Sequence, residues 1–455
     1  MNVSVDWGDG SIVNYGATSG PLTHSYSSAG PYTVTVYGAI QNIDLYNNST
    51  SKNNLISVNA WGATSTVVYN FANATGLTSV AKPDSRTFAE TTSIARLFQG
   101  CSSFTGPIPS GFLSGATKLT DVYGIFMQTP ALIGTSIPSD LFSYSPELEQ
   151  VRAAFTEAGF SGQIPAALFA SNPKLTGFSN TFEKTYNLTG TVPATLFSSN
   201  PIAGDFAYTF ASSGITGLSA GLFDNNPSAT SFAATFGWCT SLTGTIPTGL
   251  FANNNEATDF SNLFAYTNLT GAIPAGLFDN KTKVTTYESA FENMKGLNGA
   301  LPARLFADSP NVTSFKSTFA WNEFMTGSIS SDFFGNKPLV TTYEQVFAGN
   351  TSLSGVIPST LFAGSPKATN YREAFIWGKF TGSIEHLFDH LSSGNVVISG
   401  QTLNFERTFM GNANLTGSAP ALWNLTPTPI GTGCFYEWTN FDNKASIPSS
   451  WKTDQ

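Results

Sequence analysis

Residues 230–251 read TSFAATFGWCTSLTGTIPTGLF. Phe232 and Phe236 stand four apart, a loose polar stretch follows, LTGTIP occupies 242–247, and a Leu-Phe pair closes the string at 250–251. The same order returns along most of the chain. The Leu-Phe pair recurs with its Phe at Phe142, Phe169, Phe197, Phe223, Phe251, Phe278, Phe306, Phe334, Phe362 and Phe388, in steps of 26 to 28 residues, with Phe333 replacing the Leu once. A second Phe keeps the same beat from Phe98 through Phe126, Phe155, Phe182, Phe210, Phe236, Phe264, Phe291, Phe319, Phe347 and Phe375 to Phe409. Variants of LTGxIP fill 188–193, 269–274 and 353–358. The unit is an apolar residue four before a Phe, a few loose residues, LTGxIPxxLF, and a turn such as Asp-Asn-Asn-Pro at 224–227.

So short a unit cannot bury its own apolar face and must stack on its neighbours, which is what a solenoid provides. The two Phe positions then predict two ladders inside one continuous core. LTGxI, short and rich in β-branched residues, predicts one strand per coil. The Pro that follows cannot donate to a ladder and ends the strand. Pro and Phe four apart in IPxxLF predict a single helical turn. The spacing before the second Phe fits one face of a helix or of a strand, and a helical turn is the expectation.

Composition removes several classes of function. Of 455 residues only 11% are charged, less than half of the roughly 25% usual in soluble domains, while 41% are hydrophobic. Disorder driven by charge and low hydrophobicity is excluded. The net charge is −9 and the 20 Lys and Arg are scattered singly, so no basic stripe exists to bind nucleic acid. No apolar run reaches the length of a membrane span. Residues 2–10 are polar and acidic where an export signal is basic and then apolar, so export is expected to be signalled elsewhere or to occur with virions at lysis.

FQGCSSFTGPIPSGFL at 98–113, together with the string at 230–251, resembles the leucine-rich-repeat surface proteins of the BspA type. The likeness covers roughly residues 94–451. It implies a leucine-rich-repeat-like repeat solenoid of about 12–13 coils, with short parallel strands and short helical turns. Members of that family are typically bacterial surface adhesins, and similar repeats occur in phage tail proteins. LTGxIP also occurs in plant-type leucine-rich repeats, but their Asn ladder at a fixed place is not expected here. At the amino end, VSVDWGDGS (3–11) with HSYSSAGPYTVTVYG (24–38) resembles a polycystic-kidney-disease (PKD) domain, a β-sandwich spacer of surface proteins. Trp7, Tyr32, Val34 and Val36 are its expected inward residues. The expected division is residues 1–40 as a truncated β-sandwich-like segment, 41–93 as degenerate first coils, and 94–451 as the solenoid. The last coils, with a Pro-rich stretch at 419–429 and a final copy ending at Trp451, are expected to form the terminal cap.

Candidate sites are few. Cys101 and Cys239 occupy equivalent places five coils apart, on the order of 25 Å at strand spacing and far beyond the roughly 7 Å that a disulfide spans. Both, and Cys434, read as buried free thiols. In EHLFDH (385–390), His386 and His390 would share one face of a helical turn with Asp389 alongside, the arrangement of a metal site. Solvated His on a surface turn is the preferred reading, and no metal or cofactor is assigned. Glu256 and Asp259 are isolated carboxylates with nothing to fix the separation that glycoside hydrolysis requires, so the chain reads as a non-enzyme. The sequons at Asn187, Asn268 and Asn414 fall inside the repeat strand and follow from its chemistry.

Alternation within LTGxI points hydroxyls outward at Thr189, Thr191, Thr243, Thr245, Thr326, Ser328, Thr381 and Ser383. This row is the expected ligand face, for a host or bacterial surface glycan or protein, on an extracellular adhesion protein of a cell or virion surface. The alternatives are a structural fibre or receptor-binding part of a phage tail, with an oligomer or virion neighbour, and thirdly a polysaccharide depolymerase. Phe375 to Phe409 spans 34 residues instead of about 28, which predicts a projecting binding loop near 391–403. Three residues before the second Phe stand Glu288, Lys316, Glu344, Arg372 and Glu406. Signs that alternate along consecutive coils predict a stacked ladder of ion pairs.

Overall fold

Stacking is how the chain buries what one repeat cannot. The computed structural model describes residues 3–16, 20–38, 40, 42–45, 49–62, 68–392, 402–438 and 440–454. It is a β-solenoid of about 13 turns, the expected fold class. Residues 393–401, most of the expected projecting loop, lie outside the described residues.

At the amino end, β1 (Val3–Asp6), β2 (Ile12–Tyr15) and β3 (Thr35–Tyr37) form an antiparallel sheet in the order β2-β1-β3. Val5 and Trp7 are buried there, and the His24 ring stacks on Trp7 at 5.0 Å while Nε2 lies 2.7 Å from the Asp9 carboxylate. Val34 and Val36, expected to point inward, are exposed. They belong to the edge strand or its approach, at the margin of the patch that covers Val5. Parallel pairing of the solenoid kind starts next: β4 (Asn42–Asp44), helix α1 (Ser49–Asn54), β5 (Ser57–Val58), β6 (Val68–Asn70) and β7 (Ser79–Val80) follow in order, with β4 on β6 and β5 on β7.

Regular strand is scarcer in the coils than expected. Only two-residue strands such as β8 (Thr191–Val192) and β9 (Gly217–Leu218) form at most LTGxI sites, with a longer parallel set at Ser354–Val356, Lys379–Ser383 and Leu415–Thr416. Gly190, Gly244, Gly271, Gly327 and Gly382 have φ between 76° and 85°, the left-handed region that glycine enters at no cost, and pairing tolerates it, since Gly382 lies inside the five-residue strand Lys379–Ser383.

The expected helical turn before the second Phe is absent as well. Its place is taken by a ribbon of overlapping turns. In one coil the N–H groups of Phe232, Ala234, Phe236 and Trp238 donate to the carbonyls of Asp259, Ser261, Leu263 and Ala265 in the next, at 2.7–3.1 Å. The intervening N–H groups of Thr235, Gly237 and Cys239 close i to i−3 turns onto Phe232, Ala234 and Phe236. Every donor is thereby used, half along the axis as in a parallel sheet and half within the coil. The geometry demands positive φ at the third residue of alternate turns, as in a type II turn, and Ala234 (51°) and Trp238 (60°) adopt it. IPxxLF is built the same way: the N–H of Leu250 bonds the carbonyl of Pro247, an i to i−3 turn in place of a helical one.

Three aromatic ladders fill the core, one more than expected. Rings stack from Phe98 to Phe435 in consecutive coils with centroids 5.3–6.0 Å apart. The Leu-Phe rings stack from Phe142 to Phe388. A third ladder runs through Phe178, Phe206, Phe232, Phe260, Tyr287, Phe315, Tyr343, Tyr371 and Phe405, interleaved edge-on with the second. Its three Tyr separate cleanly by partner. The hydroxyls of Tyr287 and Tyr343 bond Ser309 and Ser365 at 2.7 and 2.6 Å, whereas Leu391 stands three residues after Phe388 and the buried Tyr371 hydroxyl has no partner among the described residues. Tyr371→Phe is therefore expected to stabilise the fold by about 1 kcal/mol. Tyr287→Phe, which strands Ser309, should cost a similar amount, as urea denaturation of each variant will show.

An asparagine ladder, not expected from the sequence, is present. Three residues after the Leu-Phe ring, Asn172, Asn200, Asn226 and Asn254 are fully buried, and each Nδ2 donates to two carbonyls of the preceding coil. Asn226, for example, bonds the carbonyls of Phe197 and Asn200 at 3.1 and 3.0 Å. The rung breaks at Lys281 and Lys337, which occupy the same slot, are almost entirely buried, and have ammonium groups that burial lowers to about 8. A lysine titrating near 8 when folded and near 10.4 when unfolded weakens the fold below pH 8, and the loss is recovered as pH rises between the two values. Lysine 281 replaced by asparagine (Lys281→Asn) is thus expected to be more stable than the wild type at pH 7. That gap should close by about 1 kcal/mol per pH unit above pH 8, which paired denaturation curves will measure.

Candidate binding face

The hydroxyl row is built by the kinked LTGxI segment. Standing two residues apart on an extended segment, the residues on both sides of the glycine share the outward face. All eight expected residues, Thr189, Thr191, Thr243, Thr245, Thr326, Ser328, Thr381 and Ser383, are exposed. Neighbouring coils extend the row through Thr216 and Thr270, and the hydroxyls tie coil to coil: Thr243 Oγ1 donates to the Thr216 carbonyl at 3.3 Å and Thr270 Oγ1 to the Gly244 carbonyl at 3.1 Å. Each hydroxyl keeps lone pairs free for a ligand.

The row is notched once. The coil from Phe197 to Phe223 has 26 residues and reads ITGLSA where its neighbours end in Pro. Gly217 lacks the left-handed φ of Gly190 and Gly244. The result is a shallow open depression lined by Thr191, Thr216, Leu218, Ala220, Thr243, Thr245 and Pro247, with four hydroxyls beside three apolar side chains.

The charged column stacks as its alternation predicts. Lys316 Nζ lies 3.7 Å from Glu344, and Arg372 bridges Glu344 at 3.4 Å and Glu406 at 3.1 Å. Arg372 also reaches Glu373 at 2.7 Å. The groups are partly exposed, so each pair contributes only about 0–1 kcal/mol, and the column fixes register more than it stabilises.

The remaining candidates lead elsewhere. His386 and His390 differ in exposure and in partner. His386 is exposed and its Nδ1 meets Asp389 at 2.9 Å, while His390, on the short helix α2 (Asp389–Ser392), is half-buried beside Phe388 and its imidazolium is disfavoured by burial. The helix begins only at Asp389, so His386 precedes it. Among the described residues no three His, Cys, Asp or Glu side chains are placed to hold a metal ion. Glu256 pairs with Lys283 of the next coil, and Asp259 accepts the Ser261 N–H at 2.8 Å within its own turn.

The cysteines are buried free thiols. Cys101 and Cys239 share the slot three residues after the first ladder's Phe, which Thr129, Thr185, Asn322 and Asn350 fill in other coils. Like those residues, they hydrogen-bond a carbonyl: Sγ of Cys101 to Phe71 at 3.3 Å and of Cys239 to Phe210 at 2.9 Å. Burial pushes their thiols up to about 12 and about 11, well away from reactive thiolate.

In sequence, no family model and no curated protein matches the chain. Among solved structures it is similar to the plant peptide hormone receptor RGFR1 in complex with RGF2, at 16% identity and a TM-score of 0.41 over 86% of this chain and 66% of that one. It is also similar to the Arabidopsis receptor kinase HAESA in complex with the peptide hormone IDA and the co-receptor SERK1, at 15% identity and a TM-score of 0.49 over 86% and 62%. A third similarity is to the LRIM1/APL1C complex, at 11% and 0.32 over 68% and 49%. The chain therefore spans less than two thirds of the length of these proteins. No described helix is long and apolar enough to cross a membrane.

Proposed function

We propose that this chain is an extracellular, non-enzymatic binding protein of a cell or virion surface, and that its hydroxyl row recognises a surface glycan or protein. One observation carries the reading: exposed Thr and Ser hydroxyls repeat in register along many coils, with a notch at Thr191, Thr216, Thr243 and Thr245. Regularly spaced neutral donors and acceptors on a stiff scaffold suit a ligand rich in hydroxyls or backbone amides, and preorganisation lowers the entropy cost of holding it. The BspA-type resemblance of the repeats points the same way, as does the PKD-like segment at the amino end. The test is binding of the intact chain to a glycan array and to immobilised surface proteins, beside Thr243→Val with Thr245→Val. Valine keeps the branched shape and removes the hydroxyls; the Thr216 carbonyl keeps the Thr243 N–H at 3.2 Å, so melting should change little while binding weakens. Undiminished binding by the double variant would contradict the assignment.

A second reading, a virion or cell-surface spacer, draws on the unbroken ring stack from Phe98 to Phe435, which makes the solenoid stiff. It predicts that the wild type binds nothing on either array.

A further inference from the structure

We propose that Trp238, Tyr266 and Glu292, joined side by side across three consecutive coils, form a site for a quaternary ammonium ion such as choline. The three are linked by direct contact. The Trp238 ring stacks with that of Tyr266 at 6.5 Å and 15°, and the Tyr266 hydroxyl donates to Glu292 Oε1 at 3.0 Å. Neither burial nor backbone preference accounts for the two rings. Trp238 and Tyr266 are 36% and 38% exposed, and both have φ of 60°, a region in which a bulky residue is an outlier. Strain held at an exposed position is a pointer to function.

The carboxylate sets this place apart from the rest of the ribbon. Glu157 pairs with Lys184, Glu344 with Lys316 and Arg372, and Glu373 and Glu406 with Arg372 and Arg407. Among the described residues no Lys, Arg or His comes within ion-pair distance of Glu292, nor of Glu288 in the same coil, whose side chain meets only the Ser314 hydroxyl at 3.5 Å. The Glu292 charge is felt at the ring: burial first, and then that charge, hold the Tyr266 phenol above its ordinary range, so the hydroxyl stays protonated and keeps donating. Ring faces beside an unmatched negative charge attract a cation twice over, through the ring quadrupoles and through the carboxylate.

The supply of acceptors selects among cations. A lysine ammonium brings three N–H donors and an arginine guanidinium five, and each donor that loses water on docking needs a partner. The site offers one carboxylate, one of whose oxygens already accepts from Tyr266. A quaternary ammonium brings no donor at all. Its charge is spread over methyl groups, which ring faces accommodate without hydrogen bonds. A neutral sugar or a prolyl ring would leave the carboxylate unmatched, and an acidic ligand would be repelled by it.

The site lies on the ribbon of turns and not on LTGxI, so it stands or falls apart from the hydroxyl row. Saturation-transfer NMR of the intact chain at physiological salt, titrated with choline, should show transfer to the choline methyl protons with a dissociation constant on the order of 1 mM. The neutral dimethylbutanol isostere and lysine amide should each bind more weakly. Glu292→Gln keeps an acceptor for the Tyr266 hydroxyl and removes the charge, and should raise the constant about fivefold; Trp238→Ala should raise it about tenfold. Trp377→Ala, five coils away from Trp238, should leave it unchanged. Alanine is compatible with this backbone, as Ala153 and Ala234 show at φ of 55° and 51°, and circular dichroism confirms folding. No transfer at tenfold that choline concentration, wild-type affinity in Glu292→Gln or Trp238→Ala, or tighter binding of the isostere or of lysine amide than of choline would overturn the proposal.

Discussion

Asn226→Asp is expected to cost about 4 kcal/mol or more at neutral pH, although it changes the shape of the side chain hardly at all. Asn226 is fully buried and its Nδ2 gives both protons to carbonyls, those of Phe197 and Asn200. A carboxylate has no proton to give. Two buried carbonyls lose their donor, at about 1–3 kcal/mol each, and a charge is placed against them in a dry slot. The folded-state pKa of the new Asp is therefore raised above its unfolded value near 3.9, so the deficit should shrink as pH falls through that raised value. Asn226→Ala, which loses the donors but adds no charge, should fall between wild type and Asp. Urea midpoints of the three proteins at pH 7 and pH 4 test this. A loss below about 1 kcal/mol for Asn226→Asp would show that the ladder does not bear on stability.

Phe264→Ala should cost about 3–5 kcal/mol, the usual range for emptying a buried aromatic site. Its ring is fully buried between Phe236 at 5.6 Å and Phe291 at 6.0 Å. In a solenoid each coil touches only its neighbours, so the damage should stay local. Hydrogen exchange is expected to quicken in the coils of Phe236 and Phe291 and to remain slow around Phe126. Uniform acceleration would mean that the coils are not coupled pairwise.

The period and the solenoid were legible in the sequence because Phe is a large, unambiguous marker that recurs at a fixed step, and the charge column was legible from its sign alternation. Local backbone was not. Four-residue spacing suggested a helix where the chain makes turns. The signal against a helix was the mixture of Gly, Ala, Asn, Gln and Trp two residues either side of Phe, a mixture no helix face requires but a left-handed column produces. The third aromatic ladder hid because its early members are Ile94, Val122 and Val151 and its later ones mix Phe with Tyr. The asparagine ladder hid for a similar reason. It runs for four coils and then passes through Lys281, Ser309, Lys337 and Ser365, so no single residue type marks the slot. At the binding face the hydroxyls were visible one by one, while the notch at Thr191 and Thr216 depended on a missing Pro and on the φ of one glycine.

The central claim is that equivalent residues of successive coils are translated by one strand spacing along a single axis. Spin labels on cysteines introduced at Thr189, Thr243, Thr326 and Thr381, all exposed, measure this directly, since the native thiols are buried and should not react. Thr189 with Thr326 and Thr243 with Thr381 are each five coils apart, and Thr189 with Thr381 is seven. Pulsed dipolar spectroscopy should give equal distances for the first two pairs and a distance about 10 Å longer for the third, at about 5 Å per coil. A Thr189–Thr381 distance no longer than the other two would contradict the stacked solenoid.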